Sequence, residues 1–376
     1  MTLRVFVVAG ETSGDFLAAR LLQALGPQVG GLELDGVGGA ELAKLGLNSR
    51  FSMDELSLMG FAEVVPHLPR LIRRLRETAQ AARAMRPDLV LTVDAPAFTL
   101  RVLGRLRDLD AVKVHYVAPQ AWAWRPGRAA KLRGLVDRLL AVLPFEPAFF
   151  AAYGVEAVHV GHPIVEQVPA LPAFMHRERH MDPVLCLLPG SRTGEIRRHV
   201  PLLRATVALL QAPFPELRCV LPTPPAKAAL VADLTGNWPT PLLVEAEPER
   251  RFARYAEADL ALAASGTVGL ELALARLPTV VLYRTSWLTA ALARRLIRVK
   301  YVSLINLVAD ALVVPELLQE RCTPETLAAA AQRLLGEPEA WQAQRRALDA
   351  VAHELGAGAM APSARAAAEV FEALGR

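Results

Sequence analysis

Two stretches of this chain combine residue types and spacing suited to holding an anion. "LLPGSRTGEI" (187–196) runs from an apolar segment through Pro189, Gly190, Ser191 and Arg192 into a helix starting near Thr193. The free N–H groups and dipole of a helix start attract negative charge. Gly190 lets the backbone approach a ligand closely, and the Arg192 guanidinium offers a fork to phosphate oxygens. The same residues also describe a helix capped by Ser191 beside a surface arginine. "AASGTVGLEL" (263–272) repeats the order strand, small-residue turn, helix. Ser265, Gly266 and Thr267 can line phosphates. Glu271, an acid in an apolar helix, needs partners: the hydroxyls of a ribose, or an arginine such as Arg276. Two such loops in one domain suggest a nucleotide diphosphate held without metal.

Further polar residues stand at the ends of other apolar runs. "LTVDAP" closes on Asp94, which is placed for general-base work or for a turn ahead of Pro96. "VKVHYVAPQAWAWRPGR" (112–128) offers His115, Gln120, Trp122, Trp124 and Arg125 to an acceptor pocket, while its tryptophans fit a core equally well. "AGETSGD" (9–15) places Glu11, Thr12, Ser13, Gly14 and Asp15 between the first apolar run and the first amphipathic one. There is no GxGxxG, no GxxxxGK[ST] and no HExxH, which disfavours a nicotinamide enzyme, a P-loop kinase and a zincin. "DLD" at 108–110 mimics a metal-binding DxD but follows a helix, where a solvated turn is the ordinary outcome.

These residues need a scaffold of alternating strands and helices, and the chain supplies one. Strand-like runs fall at 4–9, 88–94, 112–117, 138–143 and 157–160, with amphipathic stretches such as 69–85 and 98–107 between them. The pattern lapses over 161–182, rich in proline and charge, and then restarts with "VLCLLPG", "RCVLPTPP", "LLVEA", "DLALAAS" and "TVVLYR". From about Thr323 the chain reads as helix only. This predicts an α/β protein of two Rossmann-like domains with parallel sheets, 1–165 and 166–344, the helices of 345–376 packing back on the first. Ligands of such sheets bind beyond the carboxyl ends of the strands, so a cleft between the two domains is the expected site.

Composition agrees. The 376 residues are 53% hydrophobic and 21% charged, and the net charge of +4 lacks the basic stripe of a nucleic-acid binder. Three widely spaced cysteines and no CxxC argue against a disulfide framework or a zinc site and suit a cytoplasmic setting. No signal-peptide layout and no membrane-spanning run is expected. "HLPRLIRRLRETAQAARAMR" (67–86) and "WLTAALARRLIRVKYV" (287–302) mix apolar residues with arginines at helical spacing. Each reads as an interfacial helix or as a solvated face over a core.

The chain resembles the lipid-A-disaccharide synthase family along nearly its whole length. The motifs that carry the resemblance are "VAGETSGD", "GVGG", "MDELSLMGFAEV", "VDAP", "HYVAPQAWAWRP", "LPFE", "VGHP", "LLPGSR", "ASGTVGLELAL" and "YVSLINL", in family order. The resemblance implies the glycosyltransferase-B fold and transfer from UDP-2,3-diacylglucosamine to 2,3-diacylglucosamine 1-phosphate (lipid X), with release of UDP. It implies no cofactor and no metal, a peripheral location on the cytoplasmic side of the inner membrane, and compatibility with a homodimer. It makes Asp94 the base or essential carboxylate. It places Gly190, Ser191, Arg192, Ser265, Gly266, Thr267, Glu271, Asn306, Glu316 and Gln319 on the donor. It turns residues 11–15 toward the acceptor, with Gly14 permitting a tight turn. Where the family usually has "DAPDFN", this chain has "DAPAFT", so Ala97 and Thr99 bear on acceptor choice. The alternatives are another UDP-sugar enzyme of this fold, such as a 2-epimerase or a transferase for a different lipid, and a non-catalytic nucleotide-sugar-binding protein.

Overall fold

The computed structural model describes residues 2–56, 61–124, 126–175, 178–286, 290 and 299–375, with 61–67 described by their helical backbone alone. The chain forms two compact units, Met1–Pro163 with Ala359–Arg376, and Ile164–Gly358.

The first unit is built on six parallel strands: β1 (Leu3–Ala9), β2 (Leu32–Val37), β3 (Leu89–Val93), β4 (Val112–Tyr116), β5 (Arg138–Ala141) and β6 (Ala157–His159). Their order is β2-β1-β3-β4-β5-β6. Every residue of β3 is buried, as a strand covered on both faces requires. Four helices matter here: α1 (Thr12–Val29), α2 (Phe61–Met85), α3 (Pro96–Arg105) and α4 (Glu146–Ala151). Leu21, Leu22 and Leu25 of α1 are fully buried. On the other face Phe6, Val8 and Val90 pack with Leu75, Ala79 and Ala82 of α2 and with Val102 and Leu103 of α3. The unpredicted β2 is an edge strand, "LELDGV", only half-buried over its first four residues, so it lacks the continuous apolar run.

The second unit repeats the plan with β7 (Val184–Leu188), β8 (Arg218–Pro222), β9 (Leu242–Glu245), β10 (Leu260–Ala264), β11 (Thr279–Tyr283) and the short β12 (Glu316–Leu318), in the order β12-β11-β10-β7-β8-β9. Its helices include α5 (Thr193–Leu210), α6 (Arg251–Glu257), α7 (Val268–Leu274), α8 (Leu304–Ala309), α9 (Pro324–Gly336) and α10 (Pro338–Glu354). α9 opens with Thr323 as N-cap and Pro324 in its first turn. The last helix, α11 (Pro362–Ala373), packs on α1 in the first unit, whereas α10 stays with the second and packs on α7 and α8.

In each sheet the first strand has the second on one side and a later strand on the other. The order therefore reverses between β1 and β3, and again between β7 and β10. The loops leaving those strands diverge there and open a crevice at the carboxyl edge. These four loops carry Glu11, Asp94, Arg192 and Ser265.

Candidate active site

In the second unit the crevice is a cavity of about 510 Å³. Gly190, Ser191, Arg192, Ser265, Gly266, Thr267 and Glu271 all line it, together with Glu195, Thr223, Glu245, Glu247 and Arg251. Gly190 has φ +111°, and a Cβ there would lie 2.5 Å from Glu195 Oε2, so only glycine fits this turn. The helix cap is Arg192 rather than Ser191: its N–H donates to Glu195 Oε2 at 3.3 Å, and its guanidinium reaches Glu195 Oε1 at 3.4 Å. The Arg192 side chain stays 72% exposed, free to swing onto a ligand. His199, fully buried, ties two strand-end loops together. Its Nδ1–H donates to the Pro189 carbonyl at 2.7 Å, and its Nε2 accepts from the Arg284 N–H at 3.1 Å. Burial lowers its pKa and keeps this neutral tautomer.

Glu271 is not paired with Arg276, which bonds Asp349 instead. Its Oε2 accepts from Tyr255 OH at 3.0 Å and Arg251 Nε at 3.3 Å, and among the described residues Oε1 takes no hydrogen bond. The Tyr255 hydroxyl is pushed well above its usual pKa, first by burial and then by Glu271, so it stays a donor. Across the cavity the Glu245 carboxyl is lowered, chiefly by the Glu247 N–H and further by Arg254, so it stays charged.

Asn306, Glu316 and Gln319 do not line this cavity. Asn306 is fully buried; its Nδ2 donates to the Val314 carbonyl and to Glu316 Oε1. Glu316 accepts from the N–H groups of Val302 and Ser303, and the Val302 carbonyl accepts from Ser265 Oγ at 3.2 Å. This chain of bonds positions Ser265 from behind. Gln319 Oε1 accepts from the Thr285 N–H at 3.2 Å.

In the first unit Asp94 and Ala95 are consecutive left-handed residues, φ +48° and +43°, at the end of β3. The Thr99 hydroxyl donates to both of their carbonyls, at 2.7 and 3.0 Å, which holds this uncommon turn. So Thr99 is the brace behind Asp94, while Ala97 is exposed. Asp94 is half-buried, Oδ1 accepts from the Ala95 N–H at 2.8 Å, and burial raises its pKa. The loop after β1 lies against it: a Cβ on Gly10 would sit 2.4 Å from the Ala95 Cβ. Glu11 stands at the N-cap position of α1 without a side-chain capping bond, and its carboxyl is raised by partial burial and then by the charge of Asp94.

Three placements correct the sequence reading. Asp15 does not face outward: it is buried and accepts from the N–H groups of Gly39, Glu41 and Leu42 at 2.7, 2.8 and 3.3 Å. It anchors the "GVGG" turn by accepting from N–H groups at the start of the short helix Ala40–Ala43, which a helix start leaves without intrahelical acceptors. Gly14 lies inside α1, where it serves close packing: a Cβ would meet the Val93 carbonyl at 3.3 Å. His115 is fully buried, its Nδ1 2.8 Å from Thr92 Oγ1, and desolvation lowers its pKa to about 4. Thr12, Ser13, Gln120 and Trp124 are exposed, whereas Trp122 donates to the buried Glu146 at 3.1 Å. Arg125, residues 57–60 and, apart from 290, residues 287–298 lie outside the described residues, and 61–67 are described by their backbone alone. Asp108, in the DxD-like turn, pairs with Arg83 on α2.

A family model described as lipid-A-disaccharide synthetase matches residues 5–370. The lipid-A-disaccharide synthase of Rhodospirillum centenum is 46% identical over 99% of this chain and 95% of its own length. That of Ruegeria pomeroyi is 43% identical over 99% and 96%. This chain belongs to the lipid-A-disaccharide synthase family. It is an enzyme, a glycosyltransferase of lipid A biosynthesis, and its two Rossmann-like units are those of the glycosyltransferase-B fold. Among solved structures, the calicheamicin glycosyltransferase CalG4 shares that fold at TM-score 0.62 and 17% identity, covering 100% of this chain and 99% of its own. The UDP-GlcNAc 2-epimerase of Neisseria meningitidis does so at 0.60 and 12%, covering 99% of each. Among the described residues of this enzyme, no helix is long and apolar enough to cross a membrane.

Proposed function

We propose that the enzyme joins UDP-2,3-diacylglucosamine to 2,3-diacylglucosamine 1-phosphate by a single inverting displacement. The observation that carries the reading is the cavity at the β7/β10 crossover, where seven residues expected at a nucleotide diphosphate surround one space in a member of this family. Arg192 and the start of α5 take the diphosphate. Glu271 Oε1, unpartnered among the described residues, accepts from a ribose hydroxyl. In the first unit Asp94 takes the proton from the acceptor's 6-hydroxyl, whose oxygen attacks the anomeric carbon as the bond to UDP breaks. Charge in the oxocarbenium-like transition state passes to the departing diphosphate, where Arg192 stabilises it. The enzyme works at the cytoplasmic face of the membrane as a peripheral protein. Leu68 and Ile72 of α2, 49% and 39% exposed among arginines, suit such a surface.

Incubating the enzyme with both diacylated sugars and following products by mass spectrometry tests this. The expected result is one tetra-acylated disaccharide phosphate per UDP released. Free UDP without disaccharide, or an epimerised sugar nucleotide, would refute it. Rates should rise with detergent micelles or liposomes, and deacylated substrates should react far more slowly.

A further inference from the structure

One wall of the donor cavity is not used by this chemistry. It leaves β8 as Pro222, Thr223, Pro224 and Pro225, all of which line the cavity. Proline has no N–H and offers a flat apolar face. The Thr223 N–H is already given to the Glu245 carbonyl at 2.8 Å. What this wall has left to donate is the Thr223 hydroxyl. Thr223 is only 8% exposed, and its Oγ1 is buried with no hydrogen-bond partner among the described residues. An unpaired buried hydroxyl costs the fold stability, and a polar ligand atom that reached it would remove that cost.

Charge decides which part of a nucleotide lies there. β8 stands between β7, which leads to Arg192, and β9, which leads to Glu245 and Glu247. Arg192, 72% exposed, draws phosphates to the β7 side, whereas the carboxylates on the β9 side are paired with their own arginines, Glu245 with Arg254 and Glu247 with Arg250. The proline-faced side, next to those carboxylates, suits a flat uncharged ring.

We propose that Thr223 reads the base of the donor: its hydroxyl hydrogen-bonds the polar edge of the pyrimidine, which packs on the prolines that follow β8. This rests on the reading that the cavity holds the donor's nucleotide. Thr223→Val keeps the side chain's shape and deletes the hydroxyl; Thr223→Ser keeps the hydroxyl.

Calorimetric titration of the full chain with UDP and with inorganic pyrophosphate, alongside thermal unfolding without ligand, tests the proposal. Thr223→Val should weaken UDP binding roughly 5- to 20-fold, leave pyrophosphate binding unchanged, and unfold at or above the parent's temperature. Thr223→Ser should stay within about 3-fold of the parent for UDP. Unchanged UDP affinity in Thr223→Val, or an equal loss for pyrophosphate, overturns the assignment to the base. A lower unfolding temperature for ligand-free Thr223→Val shows that the hydroxyl serves the fold and also overturns it. If Arg192→Ala and Glu271→Gln both bind UDP like the parent, the nucleotide reading of the cavity fails instead, and the proposal fails with it.

Discussion

Asp94 combines a left-handed backbone with a carboxyl whose pKa burial raises, which makes it a stronger base than a surface aspartate. It must be ionised to accept a proton, so kcat/KM should fall on the acid side with an apparent pKa above the ordinary 3.8. Asp94→Asn should cut kcat on the order of 100-fold or more while UDP affinity stays near that of the parent. Near-parental turnover in that variant rules out the base. Glu146 is the other informative acid. It accepts from Val142 N–H, Leu143 N–H and Trp122 Nε1, yet burial dominates and raises it to about 7. A raised acid stabilises the fold fully below its unfolded value, near 4.5, and that contribution is lost as pH climbs through about 7. His115 and His162, lowered by burial to about 4, act oppositely: their contribution is full above 6.5 and is lost as pH falls toward 4. Glu146→Gln removes only the first contribution. Stability should then rise more steeply from pH 4.5 to 7 than in the parent, by on the order of 3 kcal/mol across the window. Parallel urea-unfolding curves for both proteins would contradict this.

At the scale of elements, buried side chains brace the turns at the carboxyl ends of the strands. Asp15 holds the turn at residues 39–42, His199 bridges the loops after β7 and β11, and Thr99 fastens the turn carrying Asp94. Thr99→Val deletes two hydrogen bonds to carbonyls. It should cost about 1 kcal/mol of stability but roughly 10-fold in kcat, because the αL turn loosens where the base sits. Thr99→Ser should restore turnover. A kcat loss no larger than the stability change can explain, measured well below the unfolding temperature, would separate Thr99 from the positioning of Asp94.

At the scale of the molecule, the chain closes its first unit with its last helix. Ala366, Ala367 and Val370 of α11 are fully buried, and α11 packs on α1. Ending the chain at Gly358 strips that cover from the first unit and leaves the donor cavity of the second unit intact in sequence. The truncated protein should lose transferase activity and show an earlier unfolding transition, yet still bind UDP. Loss of both together would mean that the two units do not hold their structures separately.

The sequence alone determined the alternation of strands and helices and the loops where chemistry gathers. Buried parallel strands such as β3, β7 and β10 must be continuous apolar runs, and the polar residues that end them stand out. It did not reveal β2 and β12, an edge strand and a three-residue strand with too little burial to leave such a run. Nor could it tell which way a polar side chain in or beside a strand end points. Asp15 and His115 turn inward, and Glu271 meets Arg251 and Tyr255, 20 and 16 residues before it, rather than Arg276 nearby. Periodicity records the burial of a residue's own segment. Its partners depend on which strand lies next to it, and that is decided only when the order of each sheet reverses around its first strand.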